Sequence, residues 1–329
     1  MTRLPAITFV IAALGFCGLA SALGAENPAP NGRLDLRLCA SKPRYICGEP
    51  IVLRTMVVNP SQATFTSSHP TIGWRAEDEF GIEIAPGKEG QFKSIWDNEV
   101  MRSIKATTPP IEYDDIWTDR HWIPGKIEAG AHYDRVDLLV LPNPGQYRLR
   151  ATIIEDDKTR FVSPPVSVEV VPLSQAKDSI ASQGDQVFAT RLGRALVMAH
   201  YLQDILGGTG PEGSLNREEF DRVAPTIIEQ ETPSAFRETV MYADIMDWHV
   251  DDHLLQPAIE RSKVLAERFI KEYPGSFLLP DVYLTLFWCH VHQKEFDKAA
   301  AVRATAVQKF PHASVLWEAR QCDLEKFKK

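Results

Sequence analysis

The hydrophobic period of this chain changes once, from two residues to 3.6, and that change sets what it can fold into. Leu34, Leu36 and Leu38 are separated by charged residues; Ile51, Leu53, Thr55 and Val57 repeat the alternation until Asn59-Pro60 stops it. Residues 147–153 and 166–171 alternate again, with Asp156-Asp157-Lys158 as a turn between them. Alternation places every apolar side chain on one face of a half-buried strand. About seven such strands in roughly 140 residues predict an antiparallel sandwich over 34–172.

Beyond a polar junction at 172–178 the spacing is helical. Val187 and Phe188, Leu192, Ala195 and Leu196, Ala199, Leu202 and Leu206 mark one amphipathic helix. Gly207-Gly208 is expected to end it, because glycine takes the left-handed C-cap conformation at little cost. Asn216 and Glu219 have capping-box spacing and open a shorter helix that Pro225 is expected to break. Phe236, Val240 and Ala243 begin the next helix after Thr232 and Pro233; Ala258, Ser262, Leu265 and Phe269 line the one after. The expected fold class is multidomain, with an all-β sandwich over 34–172 and an all-α part over 178–329.

The N-terminus speaks to compartment. One charge at 1–3, an apolar run at 6–19 and the small-x-small site Ala20-Ser21-Ala22 have the layout of a secretory signal peptide, with removal of 1–24 expected. The run is short for a membrane span, which takes about 20 residues. No later segment is long and apolar enough to cross, so an exported protein, periplasmic or secreted, is expected, with no integral span after cleavage. The net charge is −8 and no Lys/Arg run is present, which disfavours a nucleic-acid partner. Exported chains form disulfides. Cys39 and Cys47 end two adjacent strand candidates, so a local bridge between them is a candidate; Cys289 and Cys322 fall in neighbouring helices. A helical cysteine is also an ordinary small hydrophobe.

Three patterns invite chemistry. His249 and His253 lie four residues apart, the spacing of a zinc-peptidase helix, but Val250 stands where that chemistry needs Glu. They are candidate metal ligands set against a polar helix end, and neither metal nor cofactor is expected. The stretch 208–220 ends like a calcium loop but has Gly208 and Gly210 where early oxygen ligands belong. The long irregular stretch 86–130 carries Trp96, Trp117, His121 and Trp122 beside Asp114, Asp115 and Asp119. Trp117, His121 and Trp122 suit a glycan or a peptide; the competing reading is that these aromatics cover the sandwich core. No Gly-x-Ser-x-Gly, glycine-rich phosphate loop or triad spacing occurs.

Two resemblances follow from the residues. Tyr45-Ile46-Cys47-Gly48-Glu49-Pro50-Ile51-Val52-Leu53 and Asn143-Pro144-Gly145-Gln146-Tyr147-Arg148-Leu149 resemble bacterial immunoglobulin-like domains of exported proteins. That likeness implies a Gly-Glu-Pro turn opening an early strand, and a tyrosine corner at Tyr147. In the helical part, Lys271–Pro274 returns as Gln308–Pro311 and Tyr283 as Trp317 after thirty-four residues. With Leu286, Phe296-Asp297-Lys298-Ala299, Ala306 and Pro311, this is similar to a tetratricopeptide repeat, although Phe287 and Arg303 depart from its pattern. The repeat likeness implies a non-catalytic adaptor of the cell envelope that holds a protein in its helical groove. The alternatives are a glycan- or peptide-binding module using 86–130, and an envelope enzyme with an unrecognised site.

Overall fold

The alternating stretches do form strands. A computed structural model describes residues 34–66, 80–94, 126–155, 159–175, 186–202, 215–231, 233–246 and 255–327. Its strands are β1 (Asp35–Ala40), β2 (Arg44–Ile46), β3 (Pro50–Val58), β4 (Phe65–Thr66), β5 (Phe80–Pro86), β6 (Lys93–Ser94), β7 (Lys126–Ile127), β8 (His132–Val140), β9 (Gly145–Glu155), β10 (Thr159–Val162) and β11 (Val166–Val171). One sheet runs β1-β3-β8, a second runs β2-β11-β9-β5-β6 with β10 beside β9, and β4 pairs with β7. Leu38, Ile51 and Leu53 of the first sheet share a buried cluster with Ile82, Leu149, Ala151 and Val168 of the second. These are the inward positions of the alternation, each removing apolar surface from water at about 25 cal/mol per Å².

The chain changes sheet between β1 and β2. β1 pairs antiparallel with β3, whereas β2 pairs parallel with β11, and the Pro43 carbonyl accepts the Glu169 N–H. Cys39 therefore lies on β1 of the first sheet, and Cys47 in the turn that leads from β2 of the second sheet to β3 of the first.

The Gly-Glu-Pro segment has a physical reason at each position. Gly48 takes φ +87° in a turn closed by the Glu49 N–H donating to the Ile46 carbonyl at 2.9 Å. Positive φ at that turn position favours glycine. The Glu49 carboxylate is buried, accepts the Ile46 N–H at 2.9 Å and pairs with Lys42. Pro50 sits at the first residue of β3, where its missing donor is best tolerated. The Tyr147 hydroxyl donates to the Asn143 carbonyl at 2.8 Å, tying the entry of β9 to the preceding turn.

The helices among the described residues are α1 (Gln186–Leu202), α2 (Arg217–Glu229), α3 (Arg237–Met246), α4 (Leu255–Glu272), α5 (Leu279–His292), α6 (Phe296–Lys309) and α7 (Trp317–Gln321). The Asn216–Glu219 capping box opens α2. Pro225 does not break it: α2 continues to Glu229. Pro225 is exposed, so water can serve the Asp221 carbonyl that loses its intrahelical donor. α3 is buried on every side from Thr239 to Met246 because α1, α2, α4 and α5 all pack on it. Short turns between α4, α5 and α6 make antiparallel hairpins, and Ala299 and Ala306 are the buried residues of α6.

The β and α parts share one hydrophobic core, and residues 32–329 form one unit. α1 covers the outer face of β3 and β8. There Gly193 meets Gly48 so closely that a Cβ on Gly193 would lie 1.8 Å from the Gly48 carbonyl oxygen. The junction expected at 172–178 thus joins parts whose apolar faces are buried against each other. No helix among the described residues is long and apolar enough to cross a membrane.

Candidate functional site

Trp117, His121 and Trp122, and likewise His249 and His253, lie outside the described residues, as does the 1–24 segment. The stretch 86–130 is not irregular throughout. Lys93–Ser94 pairs with β5, and Lys126–Ile127 pairs with β4. Phe92, just before β6, lies under two guanidinium groups, with Arg150 3.9 Å and Arg148 4.9 Å from its ring centre. Arg150 also donates to Glu83 at 2.7 Å, and Arg148 to the Gly87 and Gly90 carbonyls at 3.0 and 2.8 Å. These partners consume the polar capacity of that patch and fix the hairpin. Among the described residues no group of three or more His, Cys, Asp or Glu side chains could hold a metal ion.

The surface best suited to a partner is built by the last helices. α5 is buried along nearly its whole length, so α6 lies against it as an outer layer. α6 inserts Ala299 and Ala306, two turns apart, where small side chains permit close approach. Its opposite face exposes Ala301, Ala304, Thr305 and Gln308. Those positions fall at i, i+3, i+4 and i+7 and make an uncharged stripe over 301–308, with Asp297 exposed one turn earlier on the same face. Trp317, which opens α7, is 53% exposed.

A polar cluster fixes the turn that aims α6. The turn runs Gln293-Lys294-Glu295, and Lys294 takes φ 59°. Glu295 N–H donates to the His290 carbonyl at 2.9 Å and Lys294 N–H to the Val291 carbonyl at 3.0 Å. That is the Schellman pattern, with lysine where glycine is usual. The Glu295 carboxylate meets Lys298 at 2.6 Å and His290 Nδ1 at 2.6 Å. The Lys298 and then the His290 contacts hold its carboxyl down at about 2. From α4, Lys263 donates to Gln293 at 2.7 Å, and Gln293 donates to Glu260 at 2.8 Å. Burial pushes the adjacent Cys289 thiol up to about 12, so it is inert as a nucleophile. On α3, burial pushes the Asp244 carboxyl up despite Arg261 at 2.7 Å, a structural pair clamping α3 to α4.

A second polar constellation lies where the helices meet the sheet. β8 ends its sheet, and its outer edge is covered by the turn after α6. The Asp134 N–H donates to the His312 carbonyl at 2.8 Å, and Ser314 Oγ donates to the Asp134 carbonyl at 2.9 Å. One bond further along, His200 Nε2 lies 3.2 Å from the Val136 carbonyl, and its Nδ1 2.9 Å from the Tyr242 hydroxyl. Covering an edge in this way removes a template for unwanted strand pairing. The Asp134 carboxylate pairs with Arg54, and its Oδ1 lies 2.8 Å from His132 Nε2. That second contact is not a hydrogen bond, and both of its atoms are buried. The His132 ring stacks on His312 with centres 4.2 Å apart. None of these junction histidines is marked by local sequence pattern.

No family model matches the chain, and no curated protein matches it. Two solved structures show a slight likeness. The CARDB domain of a Pyrococcus furiosus protein, solved in complex with di-metal ions, aligns at 11% identity and TM-score 0.24, over 44% of this chain and 95% of that one. A β-glucosidase from Listeria innocua, solved with gluconolactone, aligns at 11% identity and TM-score 0.22, over 42% of this chain and 16% of that one. Likeness at this level assigns neither fold family nor activity.

Proposed function

We propose that this is an exported, non-catalytic interaction protein that receives a helical segment of a partner protein on the outer face of α6. The observation that carries the proposal is the exposed, uncharged stripe Ala301, Ala304, Thr305 and Gln308 on a helix that is itself an outer layer. A helical stripe that is uncharged, with alanines at its centre, accepts another helix at close range with little desolvation cost. The consecutive antiparallel hairpins of α4, α5 and α6, closed through Ala299 and Ala306, support a tetratricopeptide-like arrangement. The strand order, the parallel β2–β11 edge and the Tyr147–Asn143 bond support an immunoglobulin-like sandwich.

The experiment places a photo-crosslinking amino acid at 304, with a control at 271 on α4, in protein exposed to envelope extract. An adduct of defined mass from 304 and not from 271 is expected, and Ala304→Glu should abolish it while leaving the melting temperature unchanged. Equal labelling at both positions would remove α6 as the binding face. Export is tested by the intact mass of protein recovered from the envelope or medium; a mass that retains 1–19 refutes it.

A further inference from the structure

We propose that the outer edge of β1 pairs antiparallel with β1 of a second copy of this chain, in the register that sets Leu36 opposite Leu36 and Asp35 opposite Arg37. β1 ends the β1-β3-β8 sheet, and β3 occupies one of its two edges. The Ser41 N–H donates to the Val52 carbonyl at 2.9 Å, so the main chain of Ser41 faces β3. Main-chain groups alternate between the two edges of a strand. Asp35, Arg37 and Cys39 therefore face β3 as well, and Leu36, Leu38 and Ala40 turn their N–H and C=O groups to the other edge. Among the described residues, no main-chain bond reaches those three from that side. The far edge of the same sheet differs, for there the outward groups of Asp134 and Val136 meet His312, Ser314 and His200.

Charge selects the partner and the register. A strand added here must turn its own main-chain groups toward β1, and a second β1 does so when even-numbered residues face even-numbered residues. One such register sets Asp35 against Asp35 and another sets Arg37 against Arg37; like charges directly opposite are destabilising. Between these two lies the register with Leu36 opposite Leu36 and Leu34 opposite Leu38. It places Asp35 of each copy opposite Arg37 of the other, at a non-hydrogen-bonded pair, where side chains approach most closely. The Arg37 and Asp35 side chains are 61% and 40% exposed, and they already pair within one chain at 2.7 Å. A second copy closes that pair into a ring of four alternating charges.

The same register keeps both cores in order. Leu34, Leu36 and Leu38 are buried, and residues opposite each other in a strand pair point to the same face. The leucines of both copies therefore stay on the core side. The two sheets join as β8-β3-β1-β1-β3-β8 about a two-fold axis at Leu36. Proline and inward-pointing charge, two usual guards of an exposed edge, do not occur in Asp35–Ala40. A strand of 6 residues offers well under the about 1,600 Å² of a standard interface, so the pairing is weak and depends on concentration.

The test is sedimentation equilibrium of the full chain, as recovered from the envelope or medium, from about 10 µM to about 1 mM. The weight-average mass should rise from monomer toward dimer. Asp35→Arg alone and Arg37→Asp alone each set like charges across the axis and should weaken association by about tenfold or more. An equimolar mixture of the two variants should recover it, because the charges of each then meet their opposites in the other. The pair within each chain stays broken in both variants, so recovery reports the second copy. If the charges merely guard the edge, the mixture stays as monomeric as its components and the proposal fails. A dimer indifferent to both substitutions lies on another face, α6 included, and also overturns it, as does a monomer at the highest concentration. Slow exchange of the Leu36 and Leu38 amides in the dilute monomer would mean that the chain's own segment before Leu34 covers the edge, which refutes pairing between copies. Should either variant fail to fold, Asp35→Lys and Arg37→Glu make the same mixture.

Discussion

Gly193→Ala sets two well-known effects against each other at the contact between the sandwich and the helices. Inside a helix, alanine is favoured over glycine by about 1 kcal/mol, so local propensity predicts stabilisation. The packing predicts the opposite. A Cβ at 193 would sit 1.8 Å from the Gly48 carbonyl oxygen, 3.0 Å from the Gly48 carbonyl carbon and 3.1 Å from a Val140 methyl. Contact at van der Waals distance needs about 3.4 Å or more, so helix and turn must separate by about 1.5 Å. Neither side yields readily. Gly48 is held at φ +87° in a hydrogen-bonded turn, and the flanking Leu192, Ala195 and Leu196 of α1 are fully buried. Overpacking of this kind costs about 1–3 kcal/mol, and a backbone oxygen as the obstacle puts this case at or above the upper end. The expected net effect is a loss of about 2 kcal/mol or more. For a chain of this size that is a fall of about 4 °C or more in melting temperature. Thermal and urea unfolding followed by circular dichroism measure it. Gly275→Ala is the control, since a Cβ there meets nothing within 4 Å; it should be neutral or stabilise by about 0.5 kcal/mol. A melting temperature for Gly193→Ala equal to or above wild type would refute the close-contact reasoning.

Three further outcomes are expected. Tyr147→Phe removes the hydroxyl that donates to Asn143 at 2.8 Å and should destabilise by about 1 kcal/mol in urea titration; no change would mean that this bond exchanges evenly with water. Lys294→Gly relieves a φ of 59° and should stabilise by about 0.5–1 kcal/mol after the extra unfolded-state entropy of glycine is counted; a lower urea midpoint would contradict the Schellman geometry. Glu295 is held down at about 2 from an ordinary 4.5 by Lys298 and His290. A depressed carboxyl stabilises the fold above its unfolded value and loses that contribution as pH falls from about 4.5 toward about 2. Glu295→Gln should flatten the acid limb of a stability–pH curve across that window, and the difference should shrink at high salt; parallel curves would count against the pairing.

The strands were legible because alternation is local: Leu36, Leu38, Ile51 and Leu53 declare an inward face without reference to anything distant. The capping box at Asn216 and Glu219 was legible for the same reason. α3 was read only in part. Phe236, Val240 and Ala243 suggest one apolar face, yet Thr239, Tyr242 and Asp244 on the other faces are buried as well. A helix surrounded by others has no polar side for periodicity to detect. The turn at Lys294 lacks the glycine that usually announces it. The β8 edge could not have been read at all, because Asp134 and Ser314 lie 180 residues apart. One signal of the junction was present and carried meaning: Gly193 interrupts an otherwise regular helical pattern, and such a glycine marks a close backbone approach. The change of sheet between β1 and β2 was hidden for a related reason. The partner of β2 is β11, more than 120 residues away, and only Pro43 hints locally that the chain leaves the first sheet.

The shared core changes what an interaction protein of this build can do. Two modules on a flexible tether raise the effective concentration of one partner near another but leave their relative geometry open. Here α1 is buried against β3 and β8, and the turn after α6 covers the β8 edge, so the α6 face keeps a fixed orientation to the sandwich. A partner docked on Ala301, Ala304 and Thr305 would be presented at one angle to whatever the sheets contact. That arrangement favours geometric specificity over reach.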